Sequence, residues 1–194
     1  MKKYLFFDTE TTGLPKNWKA SMTDVDNWPR VIELGFQVYD ENQNRLFSFN
    51  ELIKPDGWVI PTGEFWVNNG FNTERSLNEG VPIKYALKQF REWHDQCDYM
   101  VAHNISYDYN VLGAEFIRAR VRCEKKLEQI CTKESTTHFC KLIAGYGKYK
   151  WPTLNELHQK LFNEDMVDAH KADIDVEYLA KCFFESVKRK IIVL

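Results

Sequence analysis

Near the start of the chain a short apolar run ends in two carboxylates spaced two residues apart: Tyr4-Leu5-Phe6-Phe7-Asp8-Thr9-Glu10-Thr11-Thr12-Gly13-Leu14. Residues i and i+2 of a strand point to the same side, so Tyr4, Phe6, Asp8 and Glu10 share a face, with the acids at the end of a core strand. Two more acids fall where apolar side chains belong. Asp108 shares a helical face with Leu112 and Phe116, and Asp175 precedes Leu179 by one turn on the stripe of Ala172, Val176, Leu179 and Phe183. An unpaired carboxylate in a core is costly, and neither helix offers a lysine or arginine on that face. Asp8, Glu10, Asp108 and Asp175 are hard oxygen donors that suit Mg²⁺ or Mn²⁺ better than zinc. Such a cluster is the arrangement that holds two cations about 3.5–4 Å apart, one to activate an attacking water and one to stabilise the leaving oxygen of a phosphodiester. His170, five residues before Asp175, titrates near neutrality and is placed to act as a general base. Singly, each acid also reads as a stripe-edge residue reaching solvent, and His170 as a histidine of a first helical turn. The set of five points to chemistry. His94, His138 and His158 lack such company and read as structural, and Asp173 reads as a first-turn acid favoured by the helix dipole.

The elements that must position these residues follow from periodicity. Residues 31–39 alternate, with Ile32, Leu34, Phe36 and Val38 on one side and Glu33, Gly35 and Gln37 on the other, as expected of a half-buried strand. A turn at 40–44 leads into a strand over 45–53, so the first three strands form an antiparallel meander. Between the first two strands, residues 15–30 make a polar, Trp-containing excursion that can flank the site. Residues 62–97 change character, through Glu64-Phe65-Trp66-Val67 and then Thr73 to Asn78, into a helix predicted over 82–97, where Pro82 suits a first turn. A buried strand at 99–102 and a helix over 106–120 form a strand-helix unit. One more short strand at 130–131, helical pieces at 133–143 and 154–162, and a last long helix over 172–190 complete the chain.

At 194 residues with 44% hydrophobic and 14% aromatic content, the chain suits one well-packed domain, taken as 1–194. A net charge of −2 excludes a polybasic DNA-coating protein, so any nucleic-acid contact is local. Five cysteines, none in a Cys-x-x-Cys pair, suggest neither a disulfide framework nor a zinc site and fit a reducing cytoplasm. No apolar segment approaches membrane-spanning length, so no membrane partner is expected. The sequence carries no repeat and no linker between domains.

Asp8-Thr9-Glu10, Asp108 within His103-Asn104-Ile105-Ser106-Tyr107-Asp108, and His170-Lys171-Ala172-Asp173-Ile174-Asp175 resemble the three motifs of the DEDDh 3′–5′ exonucleases, from Tyr4 to about Phe184. Closest in kind is the proofreading exonuclease subunit of bacterial replicative polymerases. The resemblance implies an α/β, ribonuclease H-like fold, a mixed five-stranded sheet flanked by helices. It implies that Asp8, Glu10 and Asp175 hold a first metal, that Asp8 bridges to a second, that Asp108 contacts the second through water, and that His170 deprotonates the nucleophilic water. It further implies that Leu14 wedges against the terminal base, that Asn104 lies near the substrate, and that Glu64 meets the terminal 3′-hydroxyl. Asn69 stands where the family carries a histidine. The substrate is expected to be the 3′ end of single-stranded DNA, with RNA trimming as the alternative. A binding module that has lost catalysis would lack an acid or the histidine, and none is missing. An aspartyl-phosphate phosphatase reading of Asp8 leaves Asp108 and His170 unexplained. A polymerase subunit or a second copy of the chain are the protein partners this family allows, in replication or repair.

Overall fold

The computed structural model describes residues 1–167 and 172–194. Strands β1 (Lys3–Thr11), β2 (Val31–Asp40) and β3 (Arg45–Leu52) form the expected antiparallel meander. Strands β4 (Tyr99–Ala102) and β5 (Glu128–Cys131) extend the sheet on the other side of β1, in the order β3-β2-β1-β4-β5, with β1 parallel to β4 and β4 parallel to β5. Parallel neighbours need long crossovers, and helices supply them. Between β3 and β4 run α1 (Glu64–Asn68), α2 (Thr73–Glu79) and α3 (Ile83–His94), and between β4 and β5 runs α4 (Ile105–Arg118). Pro82 is the residue just before α3 rather than part of its first turn.

After β5 the expected helical stretch at 133–143 breaks into α5 (Thr132–Ser135) and α6 (Thr137–Cys140), which ends where Lys141 turns left-handed at φ 53°. Then follow a 3-10 turn (Gly145–Gly147), α7 (Leu154–Phe162), started by a reciprocal Thr153–Glu156 cap, and α8 (Ala172–Lys188). This is the ribonuclease H-like arrangement that the resemblance implies.

Helices cover both faces of the sheet, so β1 is buried on both. Leu5 and Phe7 pack with Ala86, Leu87 and Phe90 of α3 and with Val111, Leu112 and Phe116 of α4. Tyr4 and Phe6 face the other way, onto Val176, Leu179, Ala180 and Phe183 of α8. The two-residue period therefore sends Asp8 and Glu10 toward the layer that holds α8, and Thr9 toward the layer that holds α4.

The sequence pattern predicts that Glu33, Gly35 and Gln37 form the solvent side of β2, and the structure corrects this. That side is the seat of α8. Glu33 and Gln37 are buried, Glu33 Oε2 accepts the Ala172 N–H (3.0 Å), and Gln37 Nε2 donates to the Asp173 carbonyl (3.3 Å). A Cβ at Gly35 would lie 2.7 Å from the Ala172 carbonyl carbon, so only glycine lets the helix start this close to the sheet. Polar residues on this face pair with the backbone of a helix start instead of water, Glu33 with an amide and Gln37 with a carbonyl.

Candidate active site

The four acids converge at the carboxyl end of β1 from three elements. β1 delivers Asp8 and Glu10, and the first turn of α8 delivers Asp175. Their carboxylate oxygens lie within 4.8 Å of one another. From the opposite face α4 brings Asp108 in its own first turn, 3% exposed, where the Thr9 hydroxyl donates to its Oδ1 (2.7 Å). Cross-strand register sets Glu33 opposite Glu10, and Glu33 also receives an Asn50 amide hydrogen (3.2 Å).

Around Asp8 and Glu10 the electrostatics are those of crowded like charges. Burial raises Asp8 well above the carboxylate range, and the negative charges of Asp108, Glu10 and Asp175 raise it further. Burial and then Asp175 push Glu10 up to about 8. Burial pushes Asp108 up to about 7, against the lowering effect of the Thr9 hydroxyl. The charges acting most strongly on Asp8 and Glu10 are other carboxylates, so the donor set fits hard divalent cations, which would make ionisation of all these groups favourable.

Beside the acids lies a cleft of about 410 Å³ whose wall includes Glu10, Leu14, Trp18, Phe65, Trp66, Asn104 and Tyr107. Its shape is held by backbone contacts. Trp66 Nε1 donates to the Thr11 carbonyl (2.9 Å), and the Tyr107 hydroxyl donates to the Gly13 carbonyl (2.8 Å). Leu14 is 72% exposed at this wall, and the Trp18 ring sits 5.7 Å from that of Tyr107. Asn104, at φ 102° in the turn before α4, offers its Oδ1 to Lys133 Nζ (3.0 Å), and the Lys133 ammonium lies over the Trp151 ring at 4.4 Å. His103 is fixed between the Thr132 hydroxyl and the Pro152 carbonyl, both at 2.9 Å.

Of the expected substrate contacts, Leu14 and Asn104 line the cleft. Glu64 and Asn69 do not. Their neighbours Phe65 and Trp66 line it instead, and the Asn69 amide donates back to the Phe65 carbonyl (2.8 Å). His170, the expected base, lies outside the described residues, as do Asp168, Ala169 and Lys171. Sequence reasoning passed over Thr9, Glu33, Trp18, Trp66 and Tyr107. Thr9 and Tyr107 were findable because each adjoins an acid in its motif, whereas Glu33 and Trp66 carry no local signal.

A family model for exonucleases, RNase_T, matches residues 5–183. Among curated proteins, the chain is 29% identical over 185 residues to a PolC-type DNA polymerase III of Listeria innocua, covering 95% of this chain and 11% of the relative. It is 30% identical over 116 residues to the corresponding protein of Pediococcus pentosaceus, covering 60% of this chain and 7% of that one. The chain thus spans about a tenth of the length of these relatives. Among solved structures, Exonuclease I of E. coli in complex with a dT13 oligonucleotide superposes with a TM-score of 0.74 at 15% identity, covering 98% of this chain and 42% of the other. A 3′-exonuclease that recognises a histone mRNA stem-loop superposes with a TM-score of 0.70 at 13% identity, covering 97% and 82%. These structural likenesses establish the fold.

Proposed function

This chain belongs to the RNase_T exonuclease family, and from that premise we propose that it hydrolyses phosphodiester bonds at the 3′ end of single-stranded DNA, releasing nucleoside 5′-monophosphates. The observation that carries the reading is the convergence of the Asp8, Glu10 and Asp175 carboxylates beside an aromatic cleft. Asp8, Glu10 and Asp175 would hold one divalent cation, with Asp8 and Asp108 turned toward a second, Mg²⁺ or Mn²⁺ being the ions this donor set suits. Bound there, such cations supply Lewis-acid stabilisation of charge on the phosphoryl and leaving oxygens.

The chain's own groups do the rest. Leu14, Trp18, Phe65 and Tyr107 give the terminal nucleoside apolar and aromatic surfaces to rest on, a mode of binding that tolerates any base. Thr9 holds Asp108 in place, and Glu33 anchors the start of α8 so that Asp175 meets β1. His170 is assigned from its motif as the base that takes a proton from the attacking water. The water oxygen bonds to phosphorus, the P–O3′ bond breaks, and the 3′ oxygen of the penultimate residue leaves and is protonated.

DNA is favoured because the sequence relatives are DNA polymerases and a structural neighbour holds oligo-dT. RNA is the second reading, and the RNA-recognising exonuclease of similar fold is the observation in its favour. Action as a polymerase proofreader, alone or as a pair of copies, belongs to the same proposal. All five cysteines are free, which supports work in a reducing cytoplasm, and among the described residues no helix is long and apolar enough to cross a membrane.

The test is digestion of matched 5′-labelled single-stranded DNA and RNA in Mg²⁺, Mn²⁺ or chelator. A metal-dependent ladder shortening from the 3′ end, faster on DNA, is the expected result. Faster loss of RNA would replace the substrate, and no cleavage of either would overturn the enzyme reading.

A further inference from the structure

A second cluster of ligating side chains lies away from the acids. α3 ends in His94, followed by Asp95, and the segment 119–127 that leads into β5 brings Cys123 against them. His94 Nδ1 is 3.2 Å from Asp95 Oδ1 and 3.5 Å from Cys123 Sγ. Asp95 to Asp98 lead from α3 into the amino end of β4, whereas the acid cluster sits at the carboxyl end of β1, which runs parallel to β4. The two clusters are therefore at opposite ends of the parallel strands β1 and β4.

One ring nitrogen faces both a thiol and a carboxylate. Neutral and unprotonated, Nδ1 can accept from the Cys123 S–H but then has no hydrogen to donate to the Asp95 carboxylate. Protonated, it serves the carboxylate and leaves the thiol without its acceptor. A cation among the three satisfies all of them at once. A tetrahedral zinc with Zn–N about 2.0–2.1 Å, Zn–S about 2.3 Å and Zn–O about 2.0 Å sets nitrogen about 3.6 Å from sulfur and about 3.3 Å from oxygen. The observed separations of 3.5 and 3.2 Å are those edges.

We propose that His94, Asp95 and Cys123 form a site for a thiophilic divalent cation of the zinc class, separate from the acid cluster. On binding, the S–H bond breaks, sulfur keeps the electron pair and joins the cation, and the proton passes to solvent. Thiolate and carboxylate together balance the two charges of the ion. The Lys125 ammonium near the cluster is engaged by the carbonyls of Asp95 (3.0 Å) and Cys97 (2.6 Å). Water completes the coordination. His94 and Cys123 also line a cavity of about 450 Å³ between α3, α4 and the 121–129 segment. The ion would clasp that segment to the end of α3.

Cobalt(II) is the probe, because a thiolate-to-cobalt charge-transfer band reports sulfur ligation and the acid cluster, which has no sulfur, cannot produce it. Chelator-treated full-length protein titrated with Co²⁺ is expected to develop this band with one equivalent bound, and Zn²⁺ is expected to displace it. Asp8→Asn should keep the band. Cys123→Ser, a near-isosteric change at the one exposed cysteine, should abolish it and weaken zinc binding by at least about 100-fold, and Asp95→Asn should weaken binding by about tenfold. Absence of the band from the wild-type protein, or its survival in Cys123→Ser, would overturn the site.

Discussion

Two acidic centres of this protein use the same functional group to opposite ends. Glu115 of α4, 1% exposed, is enclosed by Arg30 Nε at 2.7 Å and Arg118 Nη1 at 3.1 Å, and it also accepts the Val31 N–H at 3.2 Å. Its charge is answered by two guanidiniums, and Arg118 carries the anchorage onward to the carbonyls of Val25, Trp28 and Pro29. That centre ties the 15–30 excursion, and with it the Trp18 wall of the cleft, to α4. Asp8, Glu10 and Asp175 crowd together, and the strongest charged neighbours of Asp8 and Glu10 are carboxylates. A buried carboxylate with its counter-charge built in holds the fold together. One whose counter-charge must arrive from solution spends stability to keep a site open.

Exchanging one charge in each centre is the sharpest way to break this contrast. Asp8→Asn should lower turnover on single-stranded DNA by at least about a thousandfold, about 4 kcal/mol in the barrier, without lowering the melting temperature of the metal-free protein. Glu115→Gln should do the reverse. Two half-buried guanidiniums lose their charged partner, at a cost of about 1–3 kcal/mol of stability in denaturant melts, while the folded fraction retains turnover and shows a raised KM as the Trp18 wall loosens. Matching phenotypes for the two variants would dissolve the distinction.

Gly35→Ala examines the junction between fold and site. The added methyl meets the Ala172 backbone at 2.7 Å and must move the start of α8, and Asp175 with it. A displacement of about 1 Å is enough for a loss of about a hundredfold in kcat, with about 1–3 kcal/mol of stability.

The smallest effect is a pH dependence. Glu10 stands at about 8 in the folded chain against an ordinary value of 4.5, so across that interval the folded state holds a proton the unfolded state has released. The metal-free protein should therefore lose stability as pH rises from about 4.5 to about 8, and saturating Mg²⁺ should cancel that slope. Glu10→Gln should lessen the slope, leaving the part due to Asp8 and Asp108, and raise the metal-free melting temperature at neutral pH by a few degrees, on a scale of about 2–4 °C per kcal/mol.

What the sequence determined by itself was local. The two-residue period of β1 put Asp8 and Glu10 on the face of Tyr4 and Phe6, the helical period put Asp108 above Leu112 and Phe116, and the structure keeps both. Motif order then identified the family. The limit of that reading is clear in β2, where alternation suggested a wet face although Glu33 and Ala172, 139 residues apart, are hydrogen-bonded there. Periodicity reports that a side chain differs from its neighbours and cannot say whether water or a distant helix start satisfies it. Likewise Glu115 and Glu10 are both glutamates on core elements. Only the tertiary structure decided that two arginines close on the first and three acids on the second, because a counter-charge is supplied across space by residues whose distance along the chain leaves no pattern.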